Sequence, residues 1–105
     1  MRTVNTPWGI ADGQEILADG IISYSTPSHG GIRLSAERQA KIPVGTPNFL
    51  KDNCWWEEDC DWVVPYILFA EDIRKHGTAY KFEENLATAY ETAKRYHPEL
   101  LVAVR

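Results

Sequence analysis

Two stretches of this chain carry side chains whose types and spacing could do chemistry. The first is Ser25-Thr26-Pro27-Ser28-His29-Gly30-Gly31. Histidine changes charge near neutral pH, so His29 can serve as an acid, a base or a ligand. The two glycines after it permit a tight backbone whose free amides would suit an anion or an oxyanion. No Lys-Ser or Lys-Thr follows them, so the signal is weaker than that of a phosphate loop. The plainer reading of the same string is a β-turn whose histidine hydrogen-bonds a carboxylate. The second stretch is Trp55-Trp56-Glu57-Glu58-Asp59-Cys60-Asp61-Trp62. Its crowded carboxylates repel one another and call for a counter-charge, a metal ion or generous solvent. A hard cation could take two such oxygens and complete its shell with water, but the regular oxygen spacing and central glycine of a calcium hand are absent.

The remaining nucleophile chemistry is weak. Cys60 with His29 could form a thiolate pair, but the acids around Cys60 disfavour the thiolate, and the residue reads as inert. Cys54 and Cys60 match no zinc-knuckle spacing. We therefore assign no catalytic residue, no metal-ligand set and no cofactor from sequence. The candidates for contact with a partner or a ligand are His29, Gly30, Gly31, Trp55, Trp56, Glu57, Glu58, Asp59 and Asp61. Trp55 and Trp56 are adjacent, so in regular structure they cannot point the same way, and one of them is expected at the surface. An exposed tryptophan bordered by acids suits an interface, because aromatics anchor contacts and charge steers approach.

Charge is distributed unevenly. The segment from Asp52 to Ile73 holds seven acids and no Lys or Arg, so it carries −7 while the rest of the chain carries +3. The bases are scattered, with Arg33, Arg38 and Lys41 the nearest approach to a basic edge, and direct nucleic-acid binding is not expected. An acidic segment of this kind suits a partner with a basic groove or a metal ion. Its alternative is a solvated helix start, where carboxylates complement the helix dipole.

If both motifs serve one site, the elements carrying them must meet: the 25–31 loop has to lie against the start of the 54–70 element. The first third of the chain is punctuated like β structure. Thr6-Pro7-Trp8-Gly9 and Asp12-Gly13 are turn signals, and Asp19-Gly20 is a tight-hairpin dipeptide between strands at 15–18 and 21–26. Ile21, Ser23 and Ser25 should share one face, and Ile22, Tyr24 and Thr26 the other. Ile32-Arg33-Leu34 resumes pairing, and Ser35 caps a short helix through Lys41. Residues 44–53 read as a loop, pinned to the core by Phe49-Leu50. The stretch 54–70 reads as a buried helix with an acidic first turn, kinked at Pro65 or restarted near Val64, with a buried strand as the alternative. Thr78 caps a last helix in which Phe82, Leu86, Ala89, Ala93 and Tyr96 recur at helical spacing, Glu91 and Arg95 pair on its outer face, and His97-Pro98 ends it. Leu100 to Val104 docks as a strand or tail.

These elements make an α+β chain: a small N-terminal antiparallel sheet packed with two or three helices. Its 105 residues form one domain, residues 1–105, and 44% hydrophobic with 25% charged residues is ordinary globular usage. The longest apolar run, Trp62 to Ala70, falls far short of the ~20 residues needed to span a bilayer, so no membrane role is expected. Nothing near Met1 resembles a signal peptide, and the two cysteines read as reduced thiols.

The strings Thr6-Pro7-Trp8-Gly9, Ser25-Thr26-Pro27-Ser28-His29-Gly30-Gly31, Leu34-Ser35 and Trp56-Glu57-Glu58-Asp59-Cys60-Asp61-Trp62 resemble a small family of uncharacterised domains of phages, plasmids and other bacterial mobile elements. The resemblance covers residues 6–70, and its two long motifs are the specific part. Where this chain has Trp56 that family commonly shows Tyr or Phe, and around Pro65 it shows proline-free apolar residues. The resemblance implies genomic context and no mechanism: a phage or mobile-element protein acting in the host cytoplasm. By analogy with small acidic inhibitors of host defences, the expected function is non-enzymatic. The chain would bind and inhibit a host defence complex in the manner of an anti-CRISPR protein, setting an acidic, tryptophan-rich surface on the basic groove of a protein or nucleoprotein. The alternative is a small enzyme or ligand-binding domain, with or without a metal ion, built on His29 and the acidic cluster.

Overall fold

The computed structural model describes residues 3–48 and 54–103. Phe49, Leu50 and Asp52 lie outside the described residues, as does the end of the 100–104 segment. Turn chemistry sets out the N-terminal half. Pro7-Trp8 joins the two-residue strands β1 (Asn5–Thr6) and β2 (Gly9–Ile10), and Thr6 closes this ribbon by donating its hydroxyl to the Gly9 carbonyl (2.7 Å). Asp19-Gly20, with Gly20 at φ 79°, joins β3 (Gly13–Ala18) to β4 (Ile21–Ser25). The chain then returns through 26–29 into β5 (Gly30–Leu34), and Ser35 caps α1 (Ala36–Gln39) by accepting the Arg38 amide (3.2 Å).

The sheet is antiparallel in the order β3-β4-β5-β6, with β6 formed by Trp55–Glu57. This corrects the expectation that a helix runs from Cys54. The acids follow a strand, and the helix starts only after the turn that carries them. Register explains why: Ile32 sits opposite Trp56 and Arg33 opposite Trp55, so the pair of tryptophans obeys the two-residue period of a strand. Trp56 enters the core and is 1% exposed, with its indole N–H donated to Gln39 Oε1 (2.9 Å). Trp55 faces the other side of the sheet and is buried there by Trp8 (rings edge-on at 5.7 Å), Tyr24 (5.6 Å) and Arg33 (5.7 Å). Neither tryptophan is exposed, which overturns the expectation for one of them.

Three helices cover the core face: α2 (Val63–Leu68), α3 (Ala70–His76) and α4 (Phe82–Tyr96). Pro65 lies in the first turn of α2, where its missing N–H costs nothing. The core joins Leu17, Ile21, Ile32, Leu34 and Trp56 of the sheet to Val63, Val64, Ile67, Ile73, Ala89 and Ala93 of the helices. Gly77, at φ 77°, ends α3. Three C-terminal expectations are corrected. Thr78 does not cap α4, because its hydroxyl donates to the Ile16 carbonyl (2.9 Å), and the cap position is Lys81. Glu91 pairs with Lys94 (3.0 Å) one turn on, while Arg95 lies over the Tyr96 ring. After His97 the chain forms a helix, α5 (Pro98–Ala103), where a strand or tail was expected.

Candidate functional site

The loop and the acidic turn do meet. Thr26 fixes the loop: its hydroxyl donates to the His29 carbonyl (2.7 Å) and accepts the His29 amide (3.1 Å), which holds His29 at the tip. Gly31 pairs with Glu57, and the Glu58 amide donates to the Gly30 carbonyl (3.0 Å). The chain then turns tightly, with the Trp62 amide donated back to the Glu57 carbonyl (2.8 Å). The result is an exposed corner in which His29 Nδ1 stands 3.8 Å from Glu58 Oε2, both side chains about half exposed. His29, Glu57 and Asp59 can each present a ligand atom within 4.8 Å of the others. Trp8, His29, Glu57, Asp59 and Cys60 line an open depression of about 400 Å³ beside it.

The electrostatics of this corner are those of crowded acids. Burial pushes the Glu57 carboxyl up from its ordinary value, and the neighbouring Asp59 carboxylate adds to the rise, against the Asp59 backbone N–H, which opposes it. Burial also pushes the Cys60 thiol up to about 11, reinforced by the charges of Asp61, Glu57 and Asp59. Cys60 is therefore a thiol and not a nucleophile at neutral pH. What the corner can do is accept a cation, either a metal ion or a basic side chain.

The other sequence candidates are placed elsewhere. Trp55 and Trp56 are packed away as described. Gly30 and Gly31 are buried inside β5, paired to β4 and, at Gly31, to β6, so they form no anion-binding loop. Both are needed for close approach. A Cβ at Gly31 would stand 2.5 Å from the Trp56 carbonyl oxygen and 2.5 Å from the Trp8 ring, and one at Gly30 would stand 2.6 Å from the Tyr24 carbonyl oxygen. Asp61 is 4% exposed and faces inward, where His97 Nε2 lies 2.9 Å from its Oδ1.

The long acidic segment is also less acidic at its surface than its composition. Asp72 pairs with Arg38, whose hydrogen bond holds that carboxyl below its usual range, and Glu71 pairs with Arg74. Glu57, Glu58 and Asp59 have no Lys or Arg partner among the described residues. His97, read from sequence only as a helix end, is the residue most clearly missed. The signal was present: Ala89, Ala93 and His97 continue one buried row at four-residue spacing.

Residues 1–104 match the family model for a domain of unknown function, DUF7007. The chain belongs to that family. No curated protein and no solved structure matches it. For a DUF7007 domain the corner at His29, Glu57, Glu58 and Asp59 is thus read from its own chemistry. No helix among the described residues is long and apolar enough to cross a membrane.

Proposed function

We propose that this DUF7007 chain is a non-enzymatic docking protein of phage or mobile-element origin that inhibits a host defence complex, in the manner of an anti-CRISPR protein, by engaging a basic groove. The observation that carries the reading is the unneutralised acidic turn Glu57-Glu58-Asp59, presented beside His29 with no Lys or Arg partner among the described residues. The docking surface is smaller than the sequence suggests. It centres on this corner, because Trp55, Trp56 and Asp61 are internal. Origin and target class rest on the resemblance of the sequence motifs. The test is to mix the protein with purified nucleic-acid-binding defence complexes at rising salt. Association should be present near 0.05 M salt, weaken towards about 0.5 M, and be lost in the Glu57→Gln/Glu58→Gln/Asp59→Asn variant. Absence of association at low salt, or indifference to salt, sinks the reading.

One observation favours a second reading, a ligand-binding domain that holds a divalent cation: the convergence of His29, Glu57 and Asp59 within 4.8 Å. Imidazole with two carboxylates suits zinc or manganese. Titration with either ion should raise the melting temperature of the protein and not that of the His29→Ala variant. Equal shifts in both would remove the site.

A further inference from the structure

The two ring nitrogens of one buried histidine face two different carboxylates. His97 follows the last turn of α4, with its amide donated to the Ala93 carbonyl (2.8 Å). On one side, Nε2 stands 2.9 Å from Asp61 Oδ1 of the acidic turn, and both side chains are at most 5% exposed. On the other, Nδ1 is fully buried, makes no hydrogen bond and faces Glu99 Oε1 of α5 at 3.5 Å. The Glu99 side chain is about half exposed. Behind Asp61, Glu57 and Cys60 each bring an atom within 4.8 Å of it. The cations of the last α4 turn are engaged elsewhere, Lys94 with Glu91 and Arg95 over the Tyr96 ring. From α2 and α3, Tyr66 and Arg74 meet α4 at its start, on Phe82 and Glu83.

A neutral imidazole carries one N–H and can donate to one carboxylate only, and its other nitrogen then presents a lone pair to the second. The doubly protonated ring donates to both. The two arms are unequal when a proton is lost. Asp61 is closed off from solvent, whereas Glu99 can swing into water, so a ring left with one proton keeps it on Nε2 for Asp61. We propose that His97 is a pH-sensitive latch on the C-terminal helix: doubly protonated it fastens α5 to the acidic turn through Glu99 and Asp61, and on losing the Nδ1 proton it releases Glu99 while keeping Asp61. The latch is closed on the acid side and opens as pH rises. It matters to α5 because a helix of six residues does not hold itself in water. Its other ties are the burial of Leu100, which is 4% exposed, and the Leu100 amide donated to the His97 carbonyl (3.0 Å). The latch does not depend on what the corner at His29 binds.

The test follows hydrogen exchange of the Leu100 and Leu101 amides in the whole chain from about pH 5.5 to about pH 8, corrected for the intrinsic pH dependence of exchange. Protection should fall about threefold across that range in the parent, the scale of one half-exposed ion pair. It should stay level in Glu99→Gln, which keeps the shape of the side chain and removes its charge. Glu99 lies at the surface, so this variant leaves the core intact. Any pH effect carried by Glu57 or Cys60 appears equally in both chains and is thereby separated. At the alkaline end, the nitrogen NMR signals of the His97 ring should place the remaining proton on Nε2. Protection that does not change with pH, or that changes equally in the parent and in Glu99→Gln, overturns the proposal. An alkaline ring protonated on Nδ1 overturns it as well, because Glu99 would then be the arm that is kept.

Discussion

Two histidine–carboxylate pairs in this chain have nearly the same chemistry and opposite surroundings. His29 and Glu58 stand 3.8 Å apart at the tip of a loop, each about half exposed. His97 and Asp61 are 2.9 Å apart in the interior, where His97 is 1% exposed and also has Glu99 Oε1 3.5 Å from its Nδ1. In the first pair water competes for every hydrogen bond, so the contact adds little to folding and both groups remain available to another molecule. In the second, neither partner can find water if the other is removed, so the contact is structural. Both carboxylates come from the same five-residue acidic cluster, and the direction in which the turn points them decides their roles.

The largest effect expected from breaking this contrast is at Asp61. Asp61→Ala strands the His97 ring in the interior and should cost about 3 kcal/mol in chemical denaturation. A cost under about 0.5 kcal/mol, the usual limit for surface changes, would show that the inner pair is not structural. Next is Gly31→Ala. The new Cβ would press on the Trp56 carbonyl and the Trp8 ring, both 2.5 Å away, and should cost about 2 kcal/mol, as overpacking does. Glu57→Gln sharpens the outer side of the contrast. Because burial and Asp59 raise the Glu57 pKa, the folded state holds its proton to higher pH than the unfolded chain does. Stability therefore falls as pH rises through the raised value. The variant should be more stable than the parent at pH 7 by about 0.5 kcal/mol at most, given solvent screening, and the gap should close at acid pH. Denaturation midpoints at the two pH values check the sign. Last, His29→Ala should change stability by only about 0.2 kcal/mol while impairing docking in the salt-dependent assay. Loss of stability comparable to that at Asp61 would make His29 structural as well.

Local chemistry made much of this fold legible from sequence. The Asp19-Gly20 turn, the alternation of 21–25 and the Ser35 cap each depend on residues a few positions apart. The meeting of the 25–31 loop with the acidic turn was legible only as a condition for one shared site; the pairing of Gly31 with Glu57 is what brings it about. What was missed depends on distant partners. Trp55–Glu57 is a strand because Gly31, Ile32 and Arg33 lie beside it, whereas acids ahead of an apolar run imitate a helix start. Thr78 abandons its cap for the Ile16 carbonyl across the sequence. Asp61 looks like its neighbours until His97 is seen beneath it.

The strand β6 has a further consequence, for the order in which the molecule assembles. Strands β3, β4 and β5 are joined by a two-residue turn and a four-residue loop, so they can zip in sequence from contacts between near neighbours. Strand β6 must return to β5 across residues 35–54, and each doubling of such a closure adds about 0.6 kcal/mol of entropy cost. Within the sheet its docking is the pairing of greatest sequence separation, and it should be the slowest of the three strand pairings. The same step buries Trp56 against Gln39 and brings the acidic turn to His29, so the indole emission of Trp56 would report, in one signal, both the closing of the sheet and the birth of the corner.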